Sequence, residues 1–194
     1  MTTVVPGRRT RRQSELLDRL LALFLAHGFS RFTLDDLAAE LRCSKTTLYT
    51  LAPSKEQLAV EVVKHYFKNA TAEVEAAVAR QSRHDRRIAT YLNAVADALR
   101  PASRTFLDDV AIFAPARSVY ERNTRIAADR VRSLIEDGIA GKTFRAVDIG
   151  FTAEMVAHTM QAIQRGDITR RTGLTDAEAY RELASFVLHS LRHD

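Results

Sequence analysis

The run Ser44-Lys45-Thr46-Thr47, followed by Tyr49-Thr50, places several hydroxyl side chains and one ammonium at the start of a short helix. Backbone amides and the dipole at such a helix end favour phosphate, and hydroxyls can meet base edges or phosphate oxygens. Threonine methyl groups can also touch the thymine methyl. Tyr49 offers a ring and a phenol to a nucleic-acid backbone, and Lys55, just inside the next helix, would hold a phosphate by charge. The surrounding segment TLDDLAAELRCSKTTLYTLAPSK, residues 33–55, reads as two short helices around a tight turn, then a capped third. That is the layout of a helix-turn-helix DNA reader, whose second helix enters the major groove. A polar, well-capped exposed face would use the same residue types, so pattern alone leaves both readings open.

The elements that must hold this run are legible from periodicity and caps. A first helix is expected from about Arg11 to His27, with Leu16, Leu17, Leu20, Leu23 and Phe24 forming an apolar stripe. Gly28 stops it, because glycine readily takes the left-handed conformation that ends helices. Phe29 and Phe32 read as core plugs beneath the reader. Thr33 with Asp36 forms a capping box that starts the second helix, carrying Leu34, Leu37 and Ala38 inward. Leu41-Arg42-Cys43 makes the turn, Ser44 caps the third helix around Leu48, and Ala52-Pro53 ends it. Ser54 and Gln57 form a further capping box, opening a helix that runs towards Val78.

Residues 81–87, QSRHDRR, are a charged break and the expected domain hinge, with His84-Asp85 solvated. Helices follow near 86–100, 103–114, 116–140, 146–165 and 175–191, punctuated by Pro101 and Pro115. GKTF at 141–144 and GDITRRTG at 166–173 read as loops, and Thr175 with Glu178 caps the last helix. No internal repeat or low-complexity tract stands out.

The span from about Arg12 to Tyr66 resembles the N-terminal domain of TetR-type transcriptional regulators. The resemblance rests on Leu16-Leu17, Leu23-Phe24, His27-Gly28-Phe29, Thr33-Leu34-Asp35-Asp36-Leu37-Ala38, Ser44-Lys45-Thr46-Thr47-Leu48-Tyr49 and Ser54-Lys55-Glu56-Gln57-Leu58, in that order and spacing. It implies that Thr33 contacts phosphate and that Lys55 grips the DNA backbone. It also implies that Lys45, Thr46, Thr47, Tyr49 and Thr50 divide base and phosphate contacts. Four positions depart from the family's habit. Arg42 stands where glycine is preferred in the turn, Cys43 where an aliphatic residue is usual, Thr46 where helix three often has glycine, and Ala52 where phenylalanine is frequent.

The resemblance further implies an all-α chain. A helix-turn-helix domain at residues 10–70, with the motif at 33–50, would be joined by a long helix to a helical effector-binding and dimerisation domain at 71–194. The last two helices of such proteins usually pair with their copies. Here Ile149, Ala153, Val156, Met160 and Ile163 on one, with Leu183, Phe186, Val187 and Leu191 on the other, supply apolar faces for a homodimer. The expected partners are double-stranded operator DNA, a second copy and an unknown small-molecule effector, with no membrane and no cofactor. The expected role is a repressor released by a small, largely apolar effector. The alternative is an architectural DNA-binding protein with an ordinary packed core.

Composition agrees with a helical protein. Hydrophobic residues at 46% and charged residues at 27% are ordinary globular values, and only seven glycines and four prolines interrupt Ala/Leu/Arg/Glu-rich stretches. Net charge is +5 with a pI near 9.6, and residues 1–64 hold ten Lys/Arg against seven Asp/Glu. Arg8, Arg9, Arg11 and Arg12 form a basic arm that could track phosphates or enter a minor groove, or be a solvated terminus. The single cysteine, Cys43, excludes an internal disulfide framework and reads as a small buried hydrophobe. With no apolar signal segment or membrane span, a cytoplasmic location is expected.

Beyond residue 70 no enzyme constellation is found: there is no glycine-rich phosphate loop, HExxH, GxSxG or cysteine cluster. His189 and His193 have metal-ligand spacing on a helix but lack an evident third ligand. Candidates for a ligand pocket are Tyr91, Phe106, Phe113, Tyr120, Asn123, Met155, His158 and Thr159, which mix aromatic walls with a few polar groups. Arg117, Arg122 and Arg125 could admit an anionic group or be solvated helix surface.

Overall fold

The structure, a computed structural model, describes residues 10–193, leaving aside the side chains of His84 and Asp85. Arg8 and Arg9 of the basic arm, and the expected solvation of His84-Asp85, therefore lie outside what is described. Among the described residues all the regular elements are helical: α1 (Arg11–His27), α2 (Leu34–Glu40), α3 (Lys45–Tyr49), α4 (Lys55–Ala79), α5 (His84–Leu99), α6 (Arg104–Ile112), α7 (Ala114–Ala140), α8 (Ile149–Gln164), α9 (Asp167–Thr172) and α10 (Asp176–Leu191). No described helix is long and apolar enough to cross a membrane.

Local chemistry accounts for most of the helix starts. Thr33 and Asp36 exchange hydrogen bonds across the first turn of α2, and Thr175 with Glu178 does the same for α10. Ser44 and Ser54 accept from the amides of Thr47 and Gln57. Each such cap satisfies a backbone donor that the helix itself cannot, and contributes about 1 kcal/mol. Arg42 has φ +49°, so the left-handed turn normally made by glycine persists here on an arginine.

The first three helices form the head. Leu17, Leu20, Phe24, Leu37 and Leu48 are buried together, with Phe32 stacked on Phe24 and Phe29 tilted against it as plugs. Burying side chains of this size contributes roughly 1.5–3 kcal/mol each. The body pairs α5 with α10 and α7 with α8, while α4 packs on α1, α5 and α7. One continuous apolar core runs from Leu16 to Leu191. A division at 70/71 falls inside α4, which serves both parts.

Several expectations need correction. The third helix ends at Tyr49 rather than at Ala52-Pro53: the Thr50 hydroxyl donates to the Thr47 carbonyl at 2.7 Å, and tighter turns carry the chain on to Ala52. The charged break shrinks to residues 80–83 and reverses the chain between α4 and α5, which pack together, so it is no joint between domains. The loop expected at 166–173 contains α9, bracketed by left-handed Gly166 and Gly173.

The apolar stripes assigned to dimerisation lie mostly inside the subunit. Ala153, Val156, Met160, Ile163, Leu183, Val187 and Leu191 are buried in the core, because α8 and α10 must each cover the body. What remains outside is Phe151 (68% exposed) and Met155 (52%) on α8, and Phe186 (70%) on α10. α10 stops at Leu191, so His193 is not on the helix with His189, whose ring Nδ1 instead meets the Ser185 carbonyl at 2.8 Å.

Candidate functional site

The head presents α3 with its N-terminus exposed. Leu48 anchors it in the core, which turns Lys45, Thr46, Tyr49 and Thr50 outward. Several of these groups already have local partners. Lys45 Nζ lies 2.8 Å from Asp35 on α2, and this hydrogen-bonded ion pair raises the lysine pKa. The Ser44 and Thr47 hydroxyls are 2.9 Å apart. The Thr33 hydroxyl donates to the Asp36 carboxylate at 2.7 Å, so a phosphate at Thr33 would compete with that bond. Lys55 Nζ reaches back 3.0 Å to the Ser30 carbonyl, which holds the ammonium beside the loop that follows α1.

Thr46, Thr47 and Thr50 also face a groove whose other wall is Thr10, Arg12, Gln13 and Leu16 at the start of α1. Gln13 Nε2 donates to the Thr50 carbonyl at 3.1 Å, tying α1 to the end of α3. Thr10 and Gln13 form a capping box that fixes this end of α1. The sequence reading missed Gln13, although Thr-x-x-Gln before an apolar stripe is the signature that would have found it.

In the body, α4, α5 and α7 surround a cavity of about 310 Å³. Its wall is aromatic, with Tyr66, Phe67, Tyr91, Tyr120 and Tyr180, and Glu75 and Arg130 stand at its more exposed side. Burial pushes the four phenols well above the ordinary tyrosine range. Of the expected pocket residues, Tyr91, Tyr120 and Asn123 line this space. The other five do not. Phe106 and Phe113 pack edge-on against Phe29, so they belong to the joint between body and head. Met155 and His158 are exposed on α8, and Thr159 turns its hydroxyl back to the Met155 carbonyl. Arg117 lies in a hydrogen bond to the Ala111 carbonyl and in an ion pair with Glu121, while Arg122 and Arg125 are exposed on α7. Tyr66, Phe67 and Tyr180 were missed, since nothing local separates a core aromatic from one at a cavity wall.

The joint itself is specific. Asp109 on α6 accepts from the amides of Phe29 at 2.6 Å and Ser30 at 2.8 Å. The Ser103 amide, at the cap of α6, donates to the Leu25 carbonyl at 2.8 Å. Gly28, between these contacts, has φ +73° and ψ −178°, a region only glycine visits freely. A β-carbon there would lie 2.5 Å from Asp109 Oδ2 and 2.8 Å from Thr105 Cγ2.

A helix-turn-helix head sharing one core with a helical body that holds a cavity defines the class, a two-part all-helical fold. Residues 16–62 match the model of the bacterial regulatory proteins of the tetR family. A stretch of 47 residues is 47% identical to uncharacterized HTH-type transcriptional regulators of Mycobacterium bovis and Mycobacterium tuberculosis, taking in 24% of this chain. The match spans 23% of the length of these curated relatives. The fold extends much further. A transcriptional regulator from Cytophaga hutchinsonii matches with a TM-score of 0.75 at 16% identity, covering 95% of this chain and 100% of that one. A protein from Saccharomonospora viridis, solved in complex with choline, matches with a TM-score of 0.73 at 16% identity, covering 96% and 100%. At these identities the likeness is one of fold.

Proposed function

We propose that this protein is a ligand-responsive transcriptional repressor that binds operator DNA as a homodimer and is released by a small, largely apolar effector. The observation that carries this reading is the continuity of α4. The helix begins with Lys55, bonded to the head at Ser30, and supplies Tyr66, Phe67, Val74 and Glu75 to the cavity wall. The twenty rises from Lys55 to Glu75 span about 30 Å of rigid helix. A ligand that shifts the cavity end of α4 would therefore shift the head, and α6 offers a second route through Asp109. An effector that favours one arrangement lowers DNA affinity, and by reciprocity DNA lowers effector affinity by the same factor.

Thr33, Ser44, Lys45, Thr46, Thr47, Tyr49, Thr50 and Lys55 are the proposed DNA contacts. Dimerisation is assigned to α8 and α10 through Phe151, Met155 and Phe186, since a second copy would cover these apolar groups. Proteins of this fold include one solved with choline, which is in keeping with a small-molecule site. A fully packed body would have favoured an architectural role, and the cavity favours the effector reading.

Selection of binding sites from random duplex DNA tests the proposal. The expected product is a two-fold symmetric site whose half-sites lie about one helical turn apart. Salt-sensitive binding without any sequence preference would support the architectural reading instead.

A further inference from the structure

The Tyr120 phenol oxygen is fully buried at the cavity wall and has no hydrogen-bond partner among the described residues. A buried hydroxyl left in that state is destabilising, and native proteins seldom keep one without use. Two neighbouring hydroxyls are already engaged. The Tyr66 hydroxyl donates to the Ala98 carbonyl at 2.9 Å, and the Thr124 hydroxyl donates to the Tyr120 carbonyl at 3.1 Å. Arg130 reaches both oxygens of Glu75, with nitrogen–oxygen distances of 3.0 and 3.2 Å, so these opposite charges cancel at the cavity's outer side.

One further acid lies beside the cavity, outside its lining. Asp176 is buried, and only the Thr169 hydroxyl is bonded to it, at 3.1 Å. Burial raises its pKa, and its proximity adds to the burial that keeps Tyr66, Tyr120 and Tyr180 un-ionised. Arg130, the cation of the described wall, is committed to Glu75, so the wall offers an anionic ligand no uncommitted positive charge.

We infer that the cavity takes a neutral, mostly apolar molecule carrying one hydrogen-bonding oxygen, and that the Tyr120 phenol binds that oxygen. This rests on reading the cavity as the effector site. A ligand of this kind would bury its rings among Phe67, Tyr91 and Tyr180 and give Tyr120 the partner that the protein does not.

Four probes sharing two phenyl rings test the inference by calorimetry on the full-length protein: benzophenone, diphenylmethane, diphenylacetate and benzhydrylammonium. Benzophenone is expected to bind about tenfold more tightly than diphenylmethane, the worth of one hydrogen bond to an otherwise unpartnered group. Both charged probes are expected to bind more weakly than benzophenone. Tyr120→Phe is expected to remove the preference for the ketone, and to melt no lower than wild type without ligand. Tyr66→Phe, which leaves Tyr120 intact, is expected to keep the preference. Equal binding of ketone and hydrocarbon, a preference that survives Tyr120→Phe, or loss of preference in Tyr66→Phe overturns the role of Tyr120 while leaving the cavity a ligand site. Tightest binding by either charged probe overturns the neutral class. If none of the four binds, the effector reading of the cavity falls, and this inference with it.

Discussion

Asp109 of α6 and Gly28 at the end of α1 are fitted to one another. The carboxylate accepts from the two amides that follow the glycine, and it occupies the space that any larger residue at position 28 would need. Body and head are thus joined by a charge-assisted contact as well as by apolar packing. Such bonds contribute more than neutral ones.

Removing the carboxylate tests the joint. Asp109→Ala leaves the part-buried Phe29 amide unsatisfied and frees the exposed Ser30 amide to water, and is expected to cost roughly 1–3 kcal/mol in urea unfolding. It is also expected to lessen the effect of effector on DNA affinity. A loss below about 0.5 kcal/mol would mean that the joint is held by Phe29, Phe106 and Phe113 alone.

Gly28→Ala meets two penalties, the strained backbone and the clash with Asp109. A destabilisation above about 2 kcal/mol is expected. In the double variant with Asp109→Ala the costs should be less than additive, since the carboxylate half of the clash is gone. Strict additivity in the double-mutant cycle would show that the two positions do not interact.

Arg42 points to a gain. Its φ of +49° costs an ordinary residue about 1–2 kcal/mol, and glycine returns part of that as unfolded-chain entropy. Arg42→Gly is therefore expected to stabilise the head by about 0.5 kcal/mol, read as a raised melting temperature. A fall in melting temperature would assign the arginine side chain a favourable contact.

DNA contacts separate by salt and sequence. Lys55→Ala is expected to weaken binding evenly across sequences and to reduce the salt slope by about one. Exchange of Thr46, which is exposed, is expected to alter preference at particular base pairs by about 1–3 kcal/mol. Thr47→Ala also removes the hydroxyl that meets Ser44, so its effect on DNA must be read beside its effect on α3. A Lys55→Ala variant with changed base preference and an unchanged salt slope would contradict the phosphate assignment.

Acid is expected to loosen the start of α2. Hydrogen bonds from the Thr33 amide and hydroxyl hold the Asp36 pKa below its ordinary 3.8. A lowered folded pKa means that the carboxylate stabilises the fold above the unfolded value, and that this contribution is lost as pH falls through the folded one. The stability difference between wild type and Asp36→Ala should be full at pH 7 and shrink below about pH 4. A difference that stays constant down to pH 2 would show that the ionised carboxylate is not what matters.

The head was legible in the chain itself because its determinants are local. Thr33, Ser44 and Ser54 act on amides three residues away, Gly28 ends a helix through its own backbone, and Arg42 sits in a turn of three residues. Spacing along the sequence therefore carried most of the helix boundaries and the exposed face of α3. The body was different. Every long helix there has an apolar stripe, but a stripe does not say which neighbour will cover it. Packing decided that Met160 and Val187 face the subunit's own core while Phe151 and Phe186 face outward. The same contest put Tyr66 and Tyr180 at the cavity wall and left Met155, His158 and Thr159 on the surface of α8. The meeting of Asp109 with Gly28, eighty-one positions apart, exists only once α6 is laid across the end of α1. Capping and turn energies depend on near neighbours, whereas burial depends on which distant surfaces the folded chain brings together.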